Sequence, residues 1–421
     1  MQPKVIGLIA AAIWGSGQMV QAAEITISCG AVGQERQYCE EAANAWARDN
    51  GHTVNITSPP ENSNQRYFQY LLDLNDGSDE VDVYQIDIIW PGLLARHFVD
   101  LREYIDDADI QRHFPTIIDS NTVDGKLVGM PWFTDVGLLY YRRDLLEKYG
   151  YQVPTDWSEL ADVALDIQEQ EQGEDGELWG YVFQGNNYEG LTCNALEWFG
   201  AYGGGTVVDG QGNITVPNAR AVMALARAAG WVDTIAPRAV LAYNEESART
   251  TFQNGDAVFM RNWPYAWALV NGPDSPVAGQ VGVAPLPQGG PKGRPASVLG
   301  GWQLAVSRYS NNPQAAAELV GYLTSEAVQR QRAIEGAYAP TIVALYEDPQ
   351  VLEANPFFET LRPILDDAIA RPASSTGDTY MAVSAHIWEA VHDVLQGYDS
   401  AAEALAKLRD QLRMIQARGE W

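Results

Sequence analysis

"VDVYQIDIIW" (residues 81–90) is the stretch on which the fold turns. Apolar side chains fall on both of its faces, which suits a strand covered by helices above and below, the central strand of a parallel sheet. The flanking sequence supplies those helices. "EITISC" (24–29) alternates as a strand. "ERQYCEEAANAWARDNG" (35–51) follows as a helix with Tyr38, Ala42, Ala45 and Trp46 on one face and Gly51 as its stop. "HTVNIT" (52–57) is a second strand, and a helix over 64–74 turns Phe68, Leu71 and Leu72 inward. Strands alternating with helices define an α/β body.

The pattern recurs downstream. "VGLLYYRRDLLEKYG" (136–150) is a strand running into a helix, "LWGYVF" (178–183) a strand, and "YEGLTCNALEWFGAYGGG" (188–205) a helix ended by glycines. "AVFMRN" (257–262), "VGVAPLP" (281–287) and "GGWQLAVS" (300–307) are extended, and the chain is mostly helical from Asn312. At 421 residues, two α/β lobes with several crossings between them are expected.

Residues 1–23 have the character of a targeting segment, with one charge at Lys4, an apolar run from Val5 to Trp14 and small residues at Ala22-Ala23. The apolar run is shorter than the roughly 20 residues of a spanning helix. A secreted periplasmic or extracellular protein is expected, without direct membrane insertion. The formal net charge of −28 repels phosphate backbones and argues against nucleic acid as a partner. Cys29, Cys39 and Cys193 lack histidines at ligand spacing, so no metal is expected. Cys29 and Cys39 are either a disulfide or two buried thiols.

In open α/β sheets ligands sit beyond the carboxyl ends of strands. Asp87, Asp135, Trp263 and Trp302 fall at such ends. A carboxylate accepts from two sugar hydroxyls at once, and an indole face meets the apolar C–H face of a pyranose. Carboxylates interleaved with tryptophans therefore suit a neutral polyol, with Arg66 and Arg371 as donors to its oxygens. In "MRNWPYAWAL" (260–269), Pro264 sets a first helical turn, Trp263 precedes it as a stacking surface, and Tyr265 and Trp267 anchor the helix behind. Nucleophile, zincin and phosphate-loop motifs are lacking. Two carboxylates flanking a sugar also fit a glycosidase, which stands as the enzymatic alternative to a binding protein.

The stretches "GLLYYRRDLLEKYGY", "YEGLTC", "RNWPYAW", "VGVAPLP" and "GGWQLAVS" together resemble the trehalose/maltose-binding proteins of ABC sugar importers, a branch of the extracellular solute-binding family. The resemblance implies a type II periplasmic-binding-protein fold: two α/β lobes, each a mostly parallel sheet flanked by helices. Three hinge crossings would fall near 131–136, 281–287 and 334–340. The N-terminal lobe would take 24–133 plus 286–336, and the C-terminal lobe 134–285 plus 337–421. It implies capture of a neutral glucoside, with Gln34, Glu35, Arg66, Asp87, Phe133, Asp135, Tyr188, Glu189, Trp263, Gly300, Gly301, Trp302 and Arg371 as ligand-binding residues. It also implies a monomer that docks on a membrane permease and needs no cofactor. Phe133 stands where close relatives carry tyrosine, and "ASSTGD" (373–378) follows Arg371-Pro372 where relatives differ. Both departures border the pocket and leave room for another small glucoside, such as the compatible solute glucosylglycerol.

Overall fold

The chain is described by a computed structural model over residues 22–171, 178–290, 292–419 and 421. Most of the expected targeting segment, residues 1–21, lies outside the described residues. Among the described residues no helix is long and apolar enough to cross a membrane.

The N-terminal third builds the expected alternation. Strand β1 (Glu24–Ser28) leads into helix α1 (Glu35–Asn50), which ends at Gly51 in the left-handed conformation. Strand β2 (Thr53–Thr57) lies parallel to β1, helix α2 (Ser63–Asn75) returns the chain, and β3 (Val83–Asp87) pairs parallel on the other side of β1. All five residues of β3 are buried, as a strand covered on both faces requires.

Strand β4 (Met130–Val136) completes this sheet at its far edge, and after Gly137 the chain enters a second sheet directly as β5 (Leu138–Arg142). The second sheet adds β6 (Trp179–Val182), β7 (Ala257–Asn262) and β8 (Val281–Pro285). The chain then returns, and β9 (Leu299–Val306) inserts between β3 and β4. The orders are β2-β1-β3-β9-β4 and β8-β5-β7-β6. A third passage follows the helix Glu326–Gly336, where residues 337–342 bridge back to both Thr134 and His113.

Both of these sheets are mixed, which corrects the expectation of mostly parallel sheets. Parallel pairing is confined to β1–β2, β1–β3 and β6–β7, and the strands next to the passages between the halves run antiparallel. The reason is connectivity. A strand arriving from the other half needs no helical crossover within its own sheet, so the constraint that makes βαβ neighbours parallel does not act on it.

Helix α2 also departs from the expected face. Phe68 and Leu72 are 56% and 68% exposed, while Arg66, Tyr67, Tyr70 and Leu74 are buried. Tyr70 packs edge-on against Tyr84 of β3 and donates or accepts a hydrogen bond with Ser28 of β1. Sheet contacts thus rotate the buried stripe by about one residue from the hydrophobic one. On α1, Tyr38 and Trp46 are buried as expected, with Cys39, Ala43 and Ala47 lying deeper than Ala42 and Ala45. Cys29 and Cys39 form a disulfide, and Cys193 is a buried free thiol.

Gly137, between β4 and β5, abuts a buried ion pair. Arg261 of β7 donates through Nε (2.9 Å) and Nη2 (2.5 Å) to Glu197, whose Oε1 also accepts the Val298 amide at 3.2 Å. A Cβ on Gly137 would land on the Glu197 carboxylate and 2.8 Å from Arg261 Nη2. Disrupting a buried pair of this kind costs about 3 kcal/mol, so Gly137→Ala is expected to lower the Tm by roughly 5 °C or more in a thermal melt. An unchanged Tm would count against a rigid Arg261–Glu197 pair at this passage.

Candidate functional site

The antiparallel register of β9 sets the site. Trp302 lies opposite Asp87 of β3 on one side and Phe133 of β4 on the other, and Gly300 lies opposite Asp135. Three strands therefore present two carboxylates, an indole and a phenyl ring abreast at one end of the first sheet. From the second sheet, Trp263 follows directly on β7, and helix α3 (Glu189–Tyr202) begins after Tyr188. Together these line a crevice between the two halves, with Glu35, Gly301 and Arg371.

Gly300 makes the close approach possible. A Cβ there would lie 3.2 Å from both Asp135 Cβ and Trp263 Cζ3, so a larger residue would push the indole away from the strand by a few tenths of an ångström. Gly301 has φ +133° and a Cβ on it would sit 2.7 Å from the Phe133 carbonyl oxygen. The Trp263 ring rests 3.8 Å from the Arg261 guanidinium, and its Nε1 donates to Glu245 at 3.3 Å. Trp302 is held edge-on by Trp90 at 5.6 Å. Both indoles remain half-buried and line the crevice.

The halves touch across the crevice. Arg371 donates to Asp87 (2.6 Å) and to Glu189 (3.0 Å), and the Glu189 amide donates to Asn64 Oδ1 at 2.9 Å. The space left in the crevice is about 60 Å³. That is too little room for a pyranose ring.

Eleven of the thirteen expected residues line this crevice, and two do not. Gln34 occupies the N-cap of α1, and successive helical residues point about 100° apart, so Glu35 faces inward while Gln34 does not. Arg66 lies beneath the wall: it is fully buried, its Nε donates to the Pro60 carbonyl at 3.1 Å, and its guanidinium lies 4.2 Å from the Trp302 ring. It backs the indole by a cation–π contact. Glu189 lines the crevice with both oxygens engaged, by Arg371, Tyr380 and Ser384.

The helix after Trp263 begins later than Pro264, the residue expected to set its first turn. It spans Ala266–Val270, with Pro264 in the turn before it. Tyr265 lines the crevice and donates to Glu246 at 2.7 Å, whereas Trp267 packs behind on Phe357. Sequence reading also missed Glu61, Ser63 and Glu245 on the wall. Glu245 opens helix α4 (Glu245–Gln253), where an acidic first turn is ordinary, yet it accepts from Tyr188 Oη at 2.6 Å and from Trp263. Behind the wall, Arg332 is buried with its guanidinium against Trp132, Phe133 and Tyr338 at 4.0–4.8 Å, and no protein hydrogen bond reaches any of its side-chain nitrogens.

Burial dominates the acids. It pushes the Asp135 carboxyl well above the usual range, with the Glu35 charge adding and Arg261 and Arg332 opposing; its Oδ1 has no protein partner. Glu35 is likewise raised by burial, against Arg66 and a bond from Gln85. In both groups burial favours the neutral acid.

A family comparison places this geometry. Residues 31–330 match the bacterial extracellular solute-binding proteins. The chain belongs to that family. A probable ABC transporter-binding protein of Deinococcus radiodurans is 48% identical over 416 residues, spanning 99% of this chain and 98% of its own. Among solved structures, the maltose-bound MalE3 of T. maritima is 38% identical with a TM-score of 0.89, over 94% of this chain and all of its own. The GacH receptor of Streptomyces glaucescens, solved unliganded and with acarbose, is 25% identical with a TM-score of 0.82, over 94% and 98%. The two-lobed type II periplasmic-binding-protein architecture is thus that of the family.

The raised Asp135 carboxyl has a thermodynamic consequence. The folded protein holds this proton more tightly than the unfolded chain does, so its contribution to stability is full below the usual carboxylate range and is lost as pH climbs through the raised value. Asp135→Asn removes the titration. The ligand-free variant is expected to melt at or above the parent at pH 7, with the gap closing towards pH 4. A variant that melts below the parent at pH 7 but not at pH 4 contradicts this reading.

Proposed function

We propose that the protein is the solute-binding component of an ABC importer and captures a neutral glucoside of the trehalose or maltose type. The observation that carries this reading is the meeting of Asp87, Asp135 and Glu35 with the half-buried faces of Trp263 and Trp302 in one crevice. Carboxylates accept from paired hydroxyls and indoles cover C–H faces, and a neutral saccharide offers both. The maltose-bound relative from T. maritima and the acarbose-bound one from Streptomyces support the same class.

Capture proceeds by hinged closure. The lobes, taken as 24–133 plus 286–336 and 134–285 plus 337–421, separate at their three crossings, admit the sugar and close over it. Bound sugar hydroxyls satisfy Asp135 and Glu35, and the ion pair from Arg371 to Asp87, with the Glu189 amide bonded to Asn64, latches the closed form while Glu189 holds Arg371 from within its own lobe. A ligand shifts this equilibrium only by binding the closed form better than the open one. The closed form then docks on a membrane permease outside the cytoplasm. A micromolar Kd, about −8 kcal/mol, requires only a few charge-assisted bonds and two stacked faces.

Calorimetry with trehalose, maltose, sucrose, glucosylglycerol and simple polyols tests the class. At least one glucoside is expected to bind with micromolar or tighter Kd and free polyols at least tenfold more weakly. Trp263→Ala should weaken the best ligand well beyond tenfold while lowering the Tm of the ligand-free protein by only a few degrees. Equal affinity in the variant, or preference for a peptide over every glucoside, would refute the reading.

A further inference from the structure

Beside the crevice lies a second cavity of about 600 Å³, ten times roomier than the crevice as closed. Both halves line it, and Arg371 lines both spaces. The same chain segments continue from one to the other: Asp87 to Ile88, Gly300 to Leu299, Arg371 to Ala370 and Ala373.

The chemistry of its walls is different. Ile88, Ile89, Pro91 and Leu93 form one side, Ile117 and Val123 another, with Leu299 at the end nearest the crevice. Among the described residues that line it there is no aromatic ring to stack on a pyranose. Asp119, Asp124 and Asp378 are exposed, so the acids sit towards solvent and disfavour an anion. The opposite wall is the small, polar "ASSTGD" segment, and a Cβ on Gly377 would meet nothing within 4 Å. Small side chains there keep the space open. Arg371 is 6% exposed, and its Nε has no hydrogen-bond partner in the protein although both Nη atoms are engaged.

We infer that this chamber receives a neutral aliphatic aglycone of a glucoside whose sugar occupies the crevice, with Arg371 Nε donating to the oxygen that joins the two. The inference rests on the glucoside reading above and adds to it the class of substituent. A sugar extension would call for stacking rings and inward-facing hydroxyl partners. An alkyl group calls for the branched aliphatic wall that is present.

Calorimetry with methyl, butyl and hexyl α-glucosides, maltose and maltotriose tests it, on the full chain and on Ser374→Trp. Ser374 is exposed on the chamber wall and does not line the crevice. Affinity is expected to rise at least tenfold from the methyl to the hexyl glucoside. Ser374→Trp should abolish that rise while leaving methyl glucoside and maltose within twofold. No gain with chain length overturns the inference, as does a variant that weakens methyl and hexyl glucosides equally. A larger gain for maltotriose over maltose, lost in the variant, assigns the chamber to sugar and overturns it too. If methyl glucoside and maltose bind but hexyl adds nothing, only this inference falls; if no glucoside binds, the functional reading falls with it.

Discussion

The hydrogen-bond register of Leu299–Val306 fixes where everything else in the crevice can be. This strand arrives from the other half of the molecule and pairs antiparallel with Val83–Asp87 on one edge and Met130–Val136 on the other. Strand side chains alternate between faces, so a slip of one residue would send Trp302 to the opposite side of the sheet and break its alignment with Asp87 and Phe133. The two glycines before it belong to the same constraint. Gly300 admits the Trp263 ring and Gly301 takes a backbone conformation that other residues rarely adopt. One strand thereby couples the first sheet's carboxylates to the second half's indole.

Charge is distributed around that strand in two layers. Buried guanidinium groups support the rings from behind: Arg66 under Trp302, Arg261 under Trp263, and Arg332 against Phe133. The carboxylates stand in front. Of these, Glu189 is fully engaged within the protein, while Asp135 keeps an oxygen without a partner. This division makes physical sense for a binding crevice. An aromatic platform must be rigid to gain from stacking, and a cation behind it fixes its plane, whereas an acceptor must be free to gain from an incoming hydroxyl. Arg371 belongs to both layers, since it bridges the halves through Asp87 and Glu189 and borders the aliphatic chamber as well.

Much of this was legible from residues alone. The alternation of strands and helices, the buried strand at 83–87 and the strand at 257–262 follow from hydrophobic period, and the carboxylates and indoles stood out at strand ends. Reading failed where one side chain's surroundings come from distant sequence. Phe68 and Leu72 match an inward stripe on α2, yet the sheet contacts select Tyr67, Tyr70 and Leu74 instead. Glu245 reads as an ordinary acidic helix start, and only the approach of Tyr188 and Trp263 makes it part of the wall. Arg66 carries the charge of a ligand contact but lies under an indole that is 236 positions away along the chain.

The sequence by itself determined the class of the fold and the chemical character of the site, because period and residue type are local properties: a stretch is apolar on two faces, or an acid sits beside a strand end, whatever lies elsewhere. Only the tertiary structure decided which of these residues face one another, that the sheets are mixed, and that an aliphatic chamber adjoins the aromatic crevice. Those depend on the pairing of Leu299–Val306 with strands more than 160 residues earlier and on the contact of two halves, and register and contact between remote segments leave no local mark in a single chain.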